Sequence, residues 1–189
     1  MKLKIGVMGS ASGRLPKIHK KSAYELGCAI AENDCITITG VCPGYPLEAA
    51  KGAKKMGGLV IGIPPALSEK EHIEKYHSPT EYHDALIFTG SGLMGREVVN
   101  IRSSDIVIII GGHSGTLGEF PIAYDEGNLI GALLESGGIT SQIESIVKII
   151  KKDTGAKILY EYDACKLVRA LIDYYSKKHF KHPDIHSSR

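Results

Sequence analysis

The chain has 189 residues and a mass of 20.4 kDa, a size that favours one α/β domain with at most a small appendage. Hydrophobic residues make up 43% of the sequence, enough for a packed core, and the net charge is only +2, which argues against a basic nucleic-acid-binding face. No apolar run approaches the roughly 18 residues that span a bilayer, and the N-terminal segment lacks the pattern of a signal peptide.

The four cysteines occur without any C-x-x-C pair. This spacing favours reduced, buried thiols over a disulfide framework or a zinc site. We therefore expect a cytoplasmic protein that binds neither nucleic acid nor membranes.

Short apolar runs alternate with segments of helical periodicity along the whole chain. The predicted strands cover residues 3–8, 36–39, 59–63, 85–89, 106–110, 129–134 and 157–160. The first predicted helix begins at Pro16 and the second covers 46–56. Four further helices are predicted near 93–103, 117–127, 140–151 and 163–178. Residues 66–83 form the one long connection.

The strand at 106–110 is apolar at every position, which predicts a parallel sheet covered by helices on both faces. We predict an α/β fold, a doubly wound Rossmann-like sheet of about seven strands. One nucleotide-binding domain is expected over residues 1–176, followed by a basic C-terminal tail over 177–189.

Glycine-bearing loops follow four of the predicted strands, at 9–13, 40–44, 90–95 and 111–115. In a parallel sheet, ligands bind outside the carboxyl ends of the strands, where these loops lie. The loop Gly111-Gly112-His113-Ser114-Gly115-Thr116 leads from a strand into a helix, and free N–H groups at a helix start attract phosphate. The alternative is an ordinary tight turn capped by a threonine.

A second glycine pattern, Gly90-Ser91-Gly92-Leu93-Met94-Gly95, spells G-x-G-x-x-G. A dinucleotide site also needs an acidic residue at the end of the next strand, but Ile110 is followed there by Gly111. The sequence also lacks the G-x-x-x-x-G-K-[ST] pattern of a P-loop. We expect no resident cofactor.

Two charged residues near these loops are candidates for chemistry. Glu119 lies one turn into the helix after the 111–116 loop, where it either stabilises the helix start or contacts a sugar beside a bound phosphate. Arg96 is either a solvated surface residue or a contact to the phosphate or leaving group. His72, His77 and His83 have spacings that match no familiar zinc pattern, so we predict no metal site.

The stretch from Gly111 to Glu119 resembles the P-G-G-x-G-T-x-x-E signature of the Lonely Guy (LOG) family of phosphoribohydrolases. Arg96 matches the family's upstream arginine. Residues 9–13 and 39–44 resemble its first two glycine turns, and residues 57–64 its third strand. The resemblance covers about residues 3–150.

This resemblance implies hydrolysis of the N-glycosidic bond of a nucleoside 5′-monophosphate, giving free base and ribose 5-phosphate, by a homodimer. It implies catalytic roles for Arg96 and Glu119. The ligand or its phosphate would be bound by Ser10, Gly13, Gly40, Gly44, Gly112, His113, Ser114, Gly115 and Thr116.

The chain departs from the family pattern where Gly111 replaces proline, His113 replaces glycine and Glu97 replaces lysine. It also has Gly44-Tyr45-Pro46 where the family has a G-L-M-G-like turn. These changes resemble a branch of the superfamily whose members bind nucleotides without this reaction. The alternative function is therefore a non-catalytic carrier or sensor of a nucleotide-like ligand or a pterin cofactor.

Overall fold

The computed structural model describes residues 1–178, whose strands form one parallel sheet in the order β4-β3-β2-β1-β5-β6-β7. The strands are β1 (Lys4–Gly9), β2 (Ile36–Thr39), β3 (Val60–Gly62), β4 (Ala85–Leu86), β5 (Ile106–Ile110), β6 (Leu129–Leu133) and β7 (Lys157–Glu161). The helices are α1 (Lys17–Glu32), α2 (Tyr45–Lys55), α3 (Glu69–Glu74), α4 (Gly92–Arg102), α5 (Ser114–Asp125), α6 (Ile143–Ile150) and α7 (Ala164–Lys177), with a 3-10 helix at Gly138–Gln142. The predicted doubly wound α/β sheet is confirmed.

The apolar run of β5 is explained by helices on both of its faces. Ile106, Ile108 and Ile110 belong to a core cluster with residues of α1, α2 and α7. Val107 and Ile109 belong to a second cluster with residues of α4, α5 and α6. Since successive side chains of a strand point to opposite faces of the sheet, the side chains on both faces of β5 have to be apolar.

The strand order reverses between β1 and β5, which pair with each other although the chain leaves them toward opposite edges of the sheet. Gly9 at the end of β1 is in register with Ile110 at the end of β5. A Cβ at Gly9 would collide with the Ile110 carbonyl, so the two strand ends approach closely. Such a reversal opens a crevice at the carboxyl ends of the strands, the usual ligand site of open α/β sheets.

Most predicted boundaries differ from the structure by one to three residues, and three differences are larger or affect the site. Strand β4 has two residues rather than five, because Pro64 and Pro65, which follow β3, have no N–H groups with which to continue the ladder. The long connection 66–83 contains α3, whose start is capped by the Ser68 side chain. Helix α5 begins three residues before the predicted position.

Of the predicted tail, Lys177 belongs to α7, and residues 179–189 lie outside the described residues. Within residues 1–178, no helix has both the length and the apolar composition to cross a bilayer. The four cysteines are free, and of these thiols, which were expected to be buried, only Cys35 is fully buried.

Helices α1 and α2 touch through glycines. A Cβ at Gly27 would collide with the Ala49 carbonyl, and one at Gly52 would collide with the Tyr24 carbonyl. We expect Gly27→Ala to lower the free energy of unfolding by about 1–3 kcal/mol, measured by urea denaturation, because the helices have to separate.

Gly115→Ala is the matched control, because Gly115 also lies within a helix but its Cβ position is 3.5 Å from the nearest non-neighbouring atom, Glu97 Oε1. This variant is expected to be as stable as the wild type or slightly more stable. Equal stability of the two variants would contradict the close contact between α1 and α2.

Candidate functional site

A cleft of about 340 Å³ lies at the carboxyl ends of β1 and β5, where the strand order reverses. Its walls come from the loops after β1 and β2, from α4 and from the first turn of α5. The predicted site residues that line it are Ser10, Gly40, Arg96, His113, Ser114, Gly115, Thr116 and Glu119. The predicted residues Gly13, Gly44 and Gly112 lie outside this lining.

The N-terminus of α5 opens into this cleft. Residues 114–116, expected as a loop, form the first turn of the helix, and the His113 side chain does not cap it. Among the described residues, no acceptor bonds the N–H groups of Ser114, Gly115 or Thr116. Three unpaired donors at the positive end of a helix form a site suited to an anion.

The backbone amide of Gly112, predicted as a phosphate contact, is hydrogen-bonded within the protein. Its N–H donates to Ser10 Oγ at 2.7 Å, so this amide and this hydroxyl are bonded to each other. The preceding amide of Gly111 donates to Ser136 Oγ at 2.8 Å, and the Gly112 carbonyl accepts from Ile139 N–H. The loop after β5 is thus held by the loops after β1 and β6, and this places the α5 N-terminus at the cleft.

Gly44 influences the shape of the site although it does not line the cleft. It precedes α2 with a φ of 82°, in the left-handed region that favours glycine. A Cβ at this position would collide with the Ser10 carbonyl, which accepts a hydrogen bond of 3.0 Å from Tyr45 N–H. Gly44 therefore lets the loops after β1 and β2 meet without itself facing the cleft.

Arg96 and Glu119 form a buried ion pair in the cleft wall. The distance from Arg96 Nη1 to Glu119 Oε1 is 3.5 Å, and each side chain is less than a tenth exposed. A Cβ at Gly40 would collide with the guanidinium, so the glycine after β2 makes room for Arg96. The residues assigned to chemistry thus lie together, one on α4 and one on α5.

Burial raises the pKa of Glu119 from 4.5 to about 7. The positive charge of Arg96 opposes this shift, the neighbouring Glu97 adds to it, and a hydrogen bond with Asn100 lowers the pKa. The sign of the net shift shows that removal from water outweighs the attraction of Arg96. Near pH 7, a substantial fraction of Glu119 is therefore protonated.

The cleft is also lined by residues that were not predicted as part of the site, and three of them have functional side chains. Glu97 on α4 and Met94 one turn earlier face the cleft, as does Cys42 in the loop after β2. Burial raises the pKa of Cys42 to about 11, which keeps its thiol neutral. In the sequence, Glu97 is marked by its departure from the family pattern and Met94 lies within the G-x-G-x-x-G stretch, whereas the placement of Cys42 depends on tertiary packing.

The histidines of the 66–83 connection occupy different surroundings. His72 on α3 is buried, and burial lowers its pKa. His83 has its Nε2 2.8 Å from Thr39 Oγ1, whereas His77 is exposed. His83 thereby attaches the long connection to the end of β2, beside the cleft.

A comparison with protein families identifies the group to which this fold and cleft belong. The family model described as LDcluster4, the SLOG cluster4 family, matches residues 2–167. The chain belongs to the SLOG cluster4 family. An uncharacterized protein from Archaeoglobus fulgidus is 37% identical over 131 residues, which are 69% of this chain and 80% of that protein.

Solved structures of Rossmann-like SLOG proteins superpose on nearly the whole SLOG cluster4 chain. The molybdenum cofactor carrier protein of Chlamydomonas reinhardtii is 28% identical, with a TM-score of 0.76 over 93% of this chain and 100% of that one. The molybdenum cofactor binding protein of Rippkaea orientalis is 30% identical, with a TM-score of 0.73 over 91% and 98% of the two chains. TM1055 is 25% identical, with a TM-score of 0.78 over 92% and 99%.

A more distant structural neighbour of this SLOG cluster4 protein binds DNA. It is DNA processing protein A from Helicobacter pylori, described by its single-stranded DNA binding mode, with 18% identity and a TM-score of 0.60 over 90% of this chain and 80% of that one. At this identity the likeness concerns the fold alone. The absence of nucleic-acid binding stays a prediction from the charge balance.

His113 closes one side of the cleft in this SLOG cluster4 protein. Its Nε2 is 3.4 Å from the Cβ position of Gly13, so the ring bridges the start of α5 and the loop after β1. We expect His113→Gly to weaken AMP binding about five-fold, the value of about one hydrogen bond, measured by calorimetry. An unchanged affinity would show that the ring only packs against Gly13; His19→Gly on α1 is the control.

Proposed function

We propose that the protein is a non-catalytic carrier or sensor that binds a phosphorylated ligand of nucleotide or pterin type. The phosphate would bind at the start of α5, and the rest of the ligand would lie along Arg96, Glu97 and Met94. The observation that carries this proposal is the set of three unpaired amides of residues 114–116, which open into the cleft. When the phosphate is bound at the start of α5, the other residues of the cleft can contact the rest of the ligand and determine specificity.

The relatives support a pterin ligand. Two of the structures that superpose on more than nine-tenths of this chain are described as a carrier and a binding protein of the molybdenum cofactor. That cofactor is a pterin that bears a phosphate. It therefore suits a cleft that combines an anion site with the apolar side chains of Leu93 and Met94.

The state of Glu119 favours a carrier over a hydrolase. Cleavage of an N-glycosidic bond develops positive charge on the sugar, and a carboxylate stabilises that charge only when it is ionised. With its pKa raised to about 7 and Arg96 at 3.5 Å, Glu119 is partly protonated and already has a cationic partner. Both conditions reduce the negative charge that Glu119 could offer to stabilise the sugar cation in the transition state.

The second candidate function is the phosphoribohydrolase activity that the resemblance to the LOG family implies. One observation favours it: Arg96 and Glu119, the two residues to which that resemblance assigns catalysis, both line the cleft and pair with each other. In this case Arg96 would fix the ligand and assist departure of the base, and Glu119 would stabilise the sugar cation.

Retention of ligand on an ultrafiltration membrane tests the carrier proposal. We expect the protein to retain the molybdenum cofactor at one equivalent per chain and to slow its oxidative loss. Inorganic phosphate in excess should displace it, because both would occupy the start of α5. Passage of both the cofactor and AMP through the membrane without retention would overturn the proposal.

We further propose that the protein acts in the cytoplasm as a homodimer. Free cysteines suit a reducing compartment. Exposed apolar side chains, which mark association surfaces, occur on α4 outside the cleft lining at Val98 and Val99.

Light scattering after gel filtration is expected to give twice the chain mass of 20.4 kDa, and Val98→Lys is expected to give the single chain mass. Ile18→Lys is the control, since Ile18 is also exposed but lies on α1, which covers the other face of the sheet. A dimer that persists in Val98→Lys and dissociates in Ile18→Lys would assign the interface to the opposite face.

A further inference from the structure

Glu97 is a buried carboxylate without a hydrogen bond or an ion pair among residues 1–178. It lies in the middle of α4, lines the cleft and is 4% exposed. Within residues 1–178, its two oxygens have no hydrogen bond and no ion pair, and the cation beside it, Arg96, is paired with Glu119. Burial raises its pKa and the positive charge of Arg96 opposes the shift, as expected for a carboxylate that has lost water without gaining hydrogen-bond donors.

The backbone around Glu97 makes room for its carboxylate. A Cβ at Gly118 on α5 would collide with Oε2, and the Cβ position of Gly115 is 3.5 Å from Oε1. The carboxylate therefore lies alongside the first turn of α5, yet in the described part of the chain no amide of that turn donates to it. A helix-capping role does not account for Glu97, and neither does a salt bridge.

Two unused carboxylate oxygens in a cleft wall suit a particular ligand chemistry. A carboxylate is best satisfied by two parallel N–H donors, as in its pairing with the arginine fork. A heterocycle presents the same arrangement where a ring N–H stands next to an exocyclic amino group. Guanine and pterin share this edge, hypoxanthine retains only the ring N–H, and adenine has no ring N–H at the corresponding position.

We propose that Glu97 binds the ring N–H and the amino group of a guanine or pterin ligand and thereby sets the specificity of the cleft. This inference rests on the proposed function, in which the ligand's phosphate is held by residues 114–116. The anchored phosphate and the bound edge would fix the two ends of the ligand. A site that has to hydrogen-bond a donor discriminates strongly against analogues that lack it, because its buried acceptor is then left unpaired.

Calorimetric titration with three nucleotides that share a phosphate and a ribose tests this assignment. The wild type is expected to bind GMP about 10- to 100-fold more tightly than AMP, with IMP between them. In Glu97→Gln, which keeps the shape but presents one acceptor instead of two, the three affinities should lie within about threefold of one another. Inorganic phosphate should bind both proteins equally, and Glu126→Gln, an exposed pair with Arg102, should retain the GMP preference.

The outcomes separate the two proposals. Equal binding of GMP, IMP and AMP by the wild type would overturn the role of Glu97 while leaving a phosphate-binding carrier in place. A GMP preference that survives in Glu97→Gln would assign the specificity to another residue and overturn it as well. Neopterin monophosphate, measured beside GMP, distinguishes the two kinds of ligand. Tighter binding of neopterin monophosphate would indicate a pterin ligand, and tighter binding of GMP would indicate a purine ligand. Absence of binding by every phosphorylated ligand would instead overturn the proposed function.

Discussion

Arg96→Met is expected to weaken the binding of a phosphorylated ligand by about 10- to 100-fold. The guanidinium lines the cleft, is less than a tenth exposed, and its Nε is buried without a hydrogen-bond partner among residues 1–178. Hydrogen bonds from a charged donor typically contribute about 1.5–3 kcal/mol, which corresponds to this loss of affinity. Methionine retains the apolar stem, so the effect reports the lost charge and donors rather than a cavity.

Arg102→Met is the matched control for Arg96→Met. Arg102 is on the same helix, α4, but it is exposed and pairs with Glu126 away from the cleft. Calorimetry with AMP should give wild-type affinity for this variant. A similar loss in both variants would mean that α4 contributes through its overall charge, and it would contradict a direct contact between Arg96 and the ligand.

Glu119→Gln is expected to stabilise the protein at neutral and alkaline pH. The folded-state pKa of Glu119 is raised to about 7 from 4.5, so the folded protein holds this proton more tightly than the unfolded chain does. As the pH rises from about 4.5 to about 7, the wild type loses stability, and above pH 7 this loss is complete. Glutamine resembles the protonated carboxyl and escapes the loss.

Urea denaturation at two pH values measures this difference. The free energy of unfolding of Glu119→Gln should exceed that of the wild type by about 1 kcal/mol at pH 5 and by about 3 kcal/mol at pH 8. The control variant is Glu126→Gln, at an exposed position, which should be no more stable than the wild type. A variant less stable than the wild type at pH 8 would contradict the raised pKa and indicate a net favourable ion pair with Arg96.

The fold is well predicted by local patterns in the sequence. The five consecutive apolar residues of β5 indicate a strand buried on both faces, and in the structure all five are buried, divided between two core clusters. Boundaries were predicted less well where a neighbouring segment decides them. Strand β4 is short because Pro64 and Pro65 end the pairing available on β3, and this depends on residues about twenty positions away.

The candidate site is only partly predictable, because its hydrogen bonds join distant parts of the chain. The sequence indicates an anion site in the loop after β5, and the free amides of residues 114–116 fit that prediction. It gives no indication that Gly112 bonds to Ser10, 102 positions away. Nor does local sequence reveal that the carboxylate of Glu97 is without a partner in the cleft wall, since this depends on how α4 packs against α5.

Recovery of the bound ligand after long incubation tests the carrier proposal most directly. The protein is incubated with AMP, GMP or the molybdenum cofactor, then denatured, and the released compounds are separated by chromatography. We predict saturable binding with the ligand recovered chemically intact and no free base, in the wild type and in Glu119→Gln alike. Release of free adenine or guanine together with ribose 5-phosphate by the wild type, reduced about 100- to 1000-fold in Glu119→Gln, would contradict the carrier function and establish the hydrolase in its place.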